Sequence, residues 1–300
     1  MMKTALVLSG GIGLGAYQAG AYAALHGHED LRPQHIAGTS IGAVNAALIA
    51  GGPAESRIER LRRFWARAAT EANPFVTPWV APFFATSWRH ASSWMSALQT
   101  RLFGRSGLFT PRLPDLLWQK QPSLYDLRPL RATFDEFVDF DHLNHGDIRV
   151  SITTTDARTG EAVTFDTAAR DGIGPDHILA SCGFFPDFPP VGIGGRALAD
   201  GGFSSNAPVE AVLGDADGAD VLCFVLDLFS AQGSPPRSIE EGASRQWELL
   251  FGNQSRDKLR LLEREHLLRG AVRQLARRLG SEFKPDAALG QYLSPRVPPQ

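Results

Sequence analysis

Twice within the first fifty residues, a short apolar run ends at glycine and gives way to an alanine-rich helical stretch. Thr4 to Ser9 is the first run, and Gly10-Gly11 closes it. Ala16 to His26 follows with helical character and small residues on one side. His35 to Gly38 is the second run, and Ile41 to Ala50 the second helix, stopped by Gly51-Gly52-Pro53. Continuous apolar runs this short read as strands buried on both faces, which is the habit of parallel sheets. Strand, helix, strand, helix therefore predicts an α/β fold with a parallel sheet.

The rest of the chain extends that pattern. Glu55 to about Ala69 carries Ile58, Leu61, Phe64 and Trp65 at helical spacing. Residues 70 to about 125 lose all period, are rich in proline and hold Trp79, Trp88, Trp94 and Trp118, so they read as an inserted cap. Asp126 is placed to N-cap a helix whose Leu127, Leu130, Phe134 and Phe137 share a face. Asp147 to Thr155 and Glu161 to Asp166 form a hairpin around a turn at Asp156 to Gly160. Pro175 to Ser181 is a short helix, Val191 to Asp200 a second hairpin, Pro208 to Leu213 a helical turn and Asp220 to Phe229 an apolar strand. After a linker at Gln232 to Arg237 the chain is helical to about Gly280, and its tail from Phe283 is proline-rich. The organisation expected is a catalytic domain over 1–230 and a helical extension over 231–300 packed on it.

Composition narrows the chemistry. With 300 residues, 43% apolar and 21% charged, the chain can bury a full core without staples. A net charge of −2 gives no global signal for nucleic acid. Cys182 and Cys223, the only cysteines, form no metal-binding pattern. No run of eighteen apolar residues occurs, and the N-terminal apolar run is too short for a signal-peptide core. The expectation is a soluble, cytoplasmic protein without metal or organic cofactor. From Asn253 to Leu279 there are eight Lys/Arg against three Asp/Glu, so peripheral contact with a membrane surface stays open. A solvated charged face, with a Leu268, Val272, Leu275, Leu279 seam packed on the core or a partner, is the competing reading.

Three features carry the chemistry. Gly38-Thr39-Ser40-Ile41-Gly42 is a G-x-S-x-G pentapeptide between a strand and a helix, the setting of a nucleophile elbow. Its plainer reading is a serine N-cap. Ser9 to Gly15 joins the first strand to the first helix, so backbone N–H groups of Gly10, Gly11, Ile12 and Gly13 are candidates for an oxyanion hole. Gly11, Gly13 and Ala16 also match the G-x-G-x-x-A of a dinucleotide site. The acidic residue such a site needs at the end of the second strand is missing, since Glu29 and Asp30 precede that strand. Asp200-Gly201-Gly202 puts a carboxylate at a strand end, as a base or as an ordinary Asp-Gly turn. His177 and His266 both fall in helices, so no histidine takes a triad position.

Together these blocks resemble the patatin-like phospholipase family, over roughly residues 5 to 230. The resemblance rests on the glycine loop, the elbow from Gly38 to Gly42, the stretch Ala180 to Pro190, and Asp200-Gly201-Gly202 continued by Asn206-Ala207-Pro208, in that order. It implies a three-layer α/β/α fold, a Ser40–Asp200 dyad without histidine, and hydrolysis of lipid acyl esters through an acyl-serine. A protein that keeps the fold to bind lipid, or an acyltransferase using the same acyl-serine, are the alternatives. The family's loop usually carries a third glycine and a cation where this chain has Ile12 and Leu14.

Overall fold

The computed structural model describes residues 3–11, 13–70, 107–112, 123–214, 220–280, 284–290 and 292–293. Most of the expected cap, with its four tryptophans, lies outside the described residues, as does Ile12.

A seven-stranded mixed sheet forms the middle layer. β1 (Lys3–Leu8) lies between β2 (His35–Thr39) and β9 (Val221–Leu226), parallel to both. β2 also pairs in parallel with β5 (Arg149–Asp156). Three strands run antiparallel: β6 (Ala162–Asp166) and β8 (Arg196–Asp200) on β5, and β7 (Val191–Ile193) on β8. β3 (Thr110–Pro111) and β4 (Tyr125–Asp126) make a separate two-stranded ladder.

The alternation along β1 divides the core in two. Leu6 and Leu8 point into a cluster with Ile36, Val44, Leu48 and Phe64, beneath α1 (Gly15–His26), α2 (Ile41–Ala50) and α3 (Arg57–Thr70). Ala5 and Val7 point the other way, toward Ala207, Val209 and Val212 at α7 (Val209–Leu213). Helices thus cover both sheet faces. α2 is buried on all sides from Gly42 to Ala50, because sheet and neighbouring helices enclose it. That is the α/β sandwich the sequence predicts.

Local departures are small. α4 (Arg128–Phe137) starts one residue later than expected: Leu127 is its N-cap, although the Asp126 carboxylate still accepts the Arg128 N–H at 2.9 Å. α5 (Phe140–His145), capped by Asp139, has too few residues to show a period and went unread in the sequence. α6 (Pro175–Ser181) and the two hairpins lie where expected. α8 (Ile239–Leu279) is one continuous 41-residue helix, followed by α9 (Ala287–Gly290). Its leucine seam is not packed on the core: Val272 is buried, but Leu268, Leu275 and Leu279 are exposed. Among the described residues no helix is long and apolar enough to cross a membrane.

Candidate active site

Ser40 sits at the single residue between β2 and α2, with φ 55° and ψ −123°. It is the one non-glycine residue with positive φ among those described. Such a backbone costs on the order of 1–3 kcal/mol and persists where its surroundings over-determine it. Here they do. A Cβ on Gly38 would lie 2.5 Å from the Gly42 carbonyl oxygen, and one on Gly42 would lie 2.1 Å from the Leu8 carbonyl oxygen. Both glycines are therefore required for α2 to cross so close to the strands. The Ser40 N–H donates to Ser181 Oγ at 2.8 Å, and the Ser181 hydroxyl donates to the Thr153 carbonyl at 2.7 Å. The Ser40 carbonyl accepts from Ala43 and Val44 in the first turn of α2. Its hydroxyl side chain stays partly open.

The sheet register brings Asp200 to that serine. β2 pairs with β5 up to Thr39 opposite Thr153, and β8 begins its pairing at Asp200 opposite Thr154. β6 occupies the other edge of β5 over both stretches, so β2 and β8 meet end to end along one edge. Gly201 makes the turn possible, since a Cβ there would lie 2.3 Å from the Thr153 carbonyl oxygen. Ser40 and Asp200 line the same cavity, and the Ser40 hydroxyl is near enough to the carboxylate to lower its pKa. The Gly202 N–H donates to Asp200 Oδ1 at 2.7 Å. Burial pushes the Asp200 pKa up to about 7, against the lowering effect of the Ser40 hydroxyl and the Gly202 N–H. The Cys182 thiol feels Asp200 as well, and is pushed well above its usual value by burial and by the Asp200 charge. A carboxylate this basic, beside a hydroxyl on a strained elbow, can accept that hydroxyl's proton near neutral pH.

The glycine loop faces the same opening, with one correction to the expected donors. The Gly10 N–H is engaged by the Asn206 carbonyl at 3.0 Å, so it does not point at a reacting oxyanion. Gly10 serves close approach instead: a Cβ there would lie 2.5 Å from Asn206 Oδ1 and 3.3 Å from Ser40 Cβ. Gly11 and Gly13 line the cavity beside Ser40 and remain the candidate donors among the described residues. Leu14 is the N-cap of α1, with its side chain exposed, so the place of the family's cation holds an apolar group. A buried polar network fixes the loop. Gln18 Nε2 donates to the Ser9 carbonyl at 2.8 Å. Asn45 Nδ2 donates to the Gly15 carbonyl at 2.9 Å and to Gln18 Oε1 at 3.0 Å. Trp65 Nε1–H donates to Asn45 Oδ1 at 3.0 Å, which ties the loop to α2 and α3.

Ser40 and Asp200 open into a cavity of about 400 Å³. Its described walls are mostly aromatic and aliphatic, and its charged members are Asp187 and Asp200. Leu108 and Phe109, the described remnant of the expected cap, line it, and Phe109 packs edge-on against Tyr125 and Phe188. On another side Phe184 stacks on Phe203 and meets Trp247 and Phe251 from α8. A largely apolar cavity with few convergent polar groups suits a ligand that is largely hydrocarbon.

A serine elbow at the end of a parallel strand, with a buried carboxylate and an apolar cavity beside it, stands on an α/β fold. The chain belongs to the patatin-like phospholipase family, whose sequence model matches residues 6–213. That is a family of lipid acyl hydrolases. No curated protein sequence matches the chain. Among solved structures, the chain is similar to VipD from Legionella pneumophila at 15% identity and a TM-score of 0.37, covering 96% of this chain and 57% of that one.

Proposed function

We propose that the protein hydrolyses carboxylic esters of lipids through an acyl-serine, with Ser40 as nucleophile and Asp200 as base. The observation that carries this reading is the strained Ser40 elbow and the buried Asp200 carboxylate, its pKa raised to about 7, together at the wall of one apolar cavity. Asp200 takes the Ser40 proton as Oγ attacks the ester carbonyl. The tetrahedral oxyanion forms beside the Gly11 and Gly13 N–H groups. The alcohol leaves with the proton from Asp200. A water molecule then gives its proton to Asp200 and attacks the acyl-serine; the acid departs, and the proton returns to Ser40. The described cavity lining holds no lysine or arginine, which favours the acyl chain over a phosphate as the part it takes.

A fluorophosphonate probe tests the nucleophile. Stoichiometric labelling of the wild type, lost in Ser40→Ala, is the expected outcome; a folded wild type that takes no label removes the enzyme reading and leaves a lipid-binding protein. The same dyad fixes the pH dependence. With a base near pKa 7, only about a tenth is ionised at pH 6, so kcat/KM should rise about tenfold from pH 6 to a plateau above pH 7.5. Product analysis with and without an alcohol acceptor separates hydrolysis from acyl transfer.

A further inference from the structure

One side chain of α8 touches both halves of the site. Gln254 Oε1 accepts the Asn206 N–H at 2.6 Å, and Gln254 Nε2 donates to the Gly202 carbonyl at 3.2 Å. Each partner leads directly to the machinery. The Gly202 N–H is the donor on Asp200 Oδ1, at 2.7 Å. The Asn206 carbonyl accepts the Gly10 N–H at 3.0 Å, and Asn206 Nδ2 donates back to the Gly10 carbonyl at 3.3 Å. Asp200, Gly202, Gln254, Asn206 and Gly10 thus form one hydrogen-bonded path from the carboxylate to the glycine loop. Gln254 is the only member of that path outside residues 6–213, the stretch the family model covers.

We propose that Gln254 is a positioning residue for the Ser40–Asp200 reaction, holding the Asp200 loop and the glycine loop in a fixed mutual distance, so that α8 is part of the working site. The inference rests on the dyad reading above. Gly202 and Asn206 are both buried. Without Gln254 a buried N–H and a buried carbonyl lose their partners, and both loops gain freedom to shift. Reaction rates are steep in such shifts, with misplacements of about 1 Å costing on the order of 10²-fold. The helix is fastened beside Gln254 by separate contacts. Trp247 and Phe251 pack on Phe184, and Lys258 Nζ donates to Ser205 Oγ at 2.7 Å and pairs with Glu210. Those contacts keep α8 in place when the amide is removed.

The test compares Gln254→Leu with Lys258→Met in the full-length protein, on a short water-soluble p-nitrophenyl ester that does not rely on the cavity for affinity. Gln254→Leu is expected to lower kcat about 10- to 100-fold with KM within about twofold. It is also expected to move the acidic limb of kcat/KM upward, because the Gly202 N–H that favours the ionised carboxylate is no longer held. Lys258→Met, which loosens the same helix without touching Gly202 or Asn206, should lower the melting temperature and leave that limb in place. If Gln254→Leu fails to fold, Gln254→Asn keeps the amide but draws it back by one methylene, and the same two readings apply to it. A wild-type kcat, or a lowered kcat with an unmoved limb, overturns the proposal. Should Ser40→Ala retain ester cleavage, the dyad reading itself has failed; a dead Ser40→Ala with an indifferent Gln254 sinks the positioning role alone.

Discussion

A serine and a carboxylate meet at each end of β5, and the pair that looks more like a catalytic triad is the one without the means for catalysis. Near the start of β5, Ser151 donates to Asp166 Oδ2 at 2.5 Å and accepts from His35 Nε2 at 2.7 Å. Serine, histidine and aspartate are all present. At the other end of β5, Ser40 has only Asp200. The difference lies in what surrounds each carboxylate. Burial would raise Asp166, but bonds from Arg149, Ser151 and the Ala168 N–H outweigh it and hold its pKa below the usual value. Burial raises Asp200 to about 7, and no cation opposes it. His35 is pushed down to about 4 by burial and the neighbouring Arg149, so it is neutral and a weak base. Ser151 is fully buried within a paired strand, whereas Ser40 is partly open on a strained turn at a cavity. Residue identity is shared; basicity, access and backbone are not.

Replacing each serine should break this comparison most sharply. Ser40→Ala is expected to lower ester turnover by about 10⁴-fold or more while the protein stays folded. Ser151→Ala should keep turnover within about threefold, and its effect should appear as lost stability, about 1–2 kcal/mol from the stranded Asp166 and His35 partners. Chemical denaturation alongside an ester assay reads both. Comparable loss of turnover in the two variants would mean that the buried cluster takes part in the chemistry.

The carboxylates separate in sign as well as in size. Asp200→Asn should reduce turnover by about 10²–10⁴-fold. It should also stabilise the protein above pH 7. A carboxyl whose folded pKa is raised contributes stability at low pH that is lost as pH rises through about 7, on the order of 4 kcal/mol across about three units. The amide carries no such loss. Asp166→Asn has the opposite sign: its depressed folded pKa supplies stability above the unfolded value, so the variant should be weaker at neutral pH. His35 makes a matching contribution. Its folded pKa of about 4 means stability falls as pH drops from about 6.5. Between about pH 4 and 6.5 the slopes of Asp200 and His35 oppose each other, so these two contributions largely cancel in the wild type. Asp200→Asn should expose a clear rise with pH there, and His35→Gln a fall. Parallel profiles for both variants would reject these assignments.

Much of the site was legible in the sequence because it rests on local patterns. Gly38, Gly42 and Gly201 stand where a Cβ has no room, and the glycines flanking Ser40 and following Asp200 are visible without coordinates. The connection between them is not local. It depends on β2 and β8 sharing one edge of β5, which no spacing along the chain encodes. For the same reason the Ser151, His35 and Asp166 cluster could not be read in advance. Ser181 and Asn206 lay inside motif blocks but showed no role, since each acts through bonds to groups far away along the chain. Gln254, in the middle of a long polar helix, had no signal at all. The Gly10 donor failed for a related reason: glycine at a loop shows that backbone can come close, not which way its N–H is used.

The smallest expected effect tests the backbone side of the comparison. Ser40 holds φ 55° and ψ −123°, a conformation that disfavours any Cβ, while Ser151 lies in an ordinary strand. Glycine relieves strain of this kind, which typically costs on the order of 1–3 kcal/mol. Ser40→Gly also frees the buried Asp200 from a hydroxyl partner, which takes back part of that gain at pH values where the carboxylate is ionised. The net gain should therefore be largest near pH 5, about 1 kcal/mol, and shrink as pH rises through 7. Ser151→Gly has no strain to relieve and adds the entropy of a glycine in a strand, so it should destabilise at every pH. Denaturation midpoints for the two glycine variants at pH 5 and pH 8 decide the matter. A loss of stability in Ser40→Gly at pH 5 would show that the elbow is unstrained, and that Ser40 keeps its place through its bond to Ser181 and its neighbour Asp200 alone.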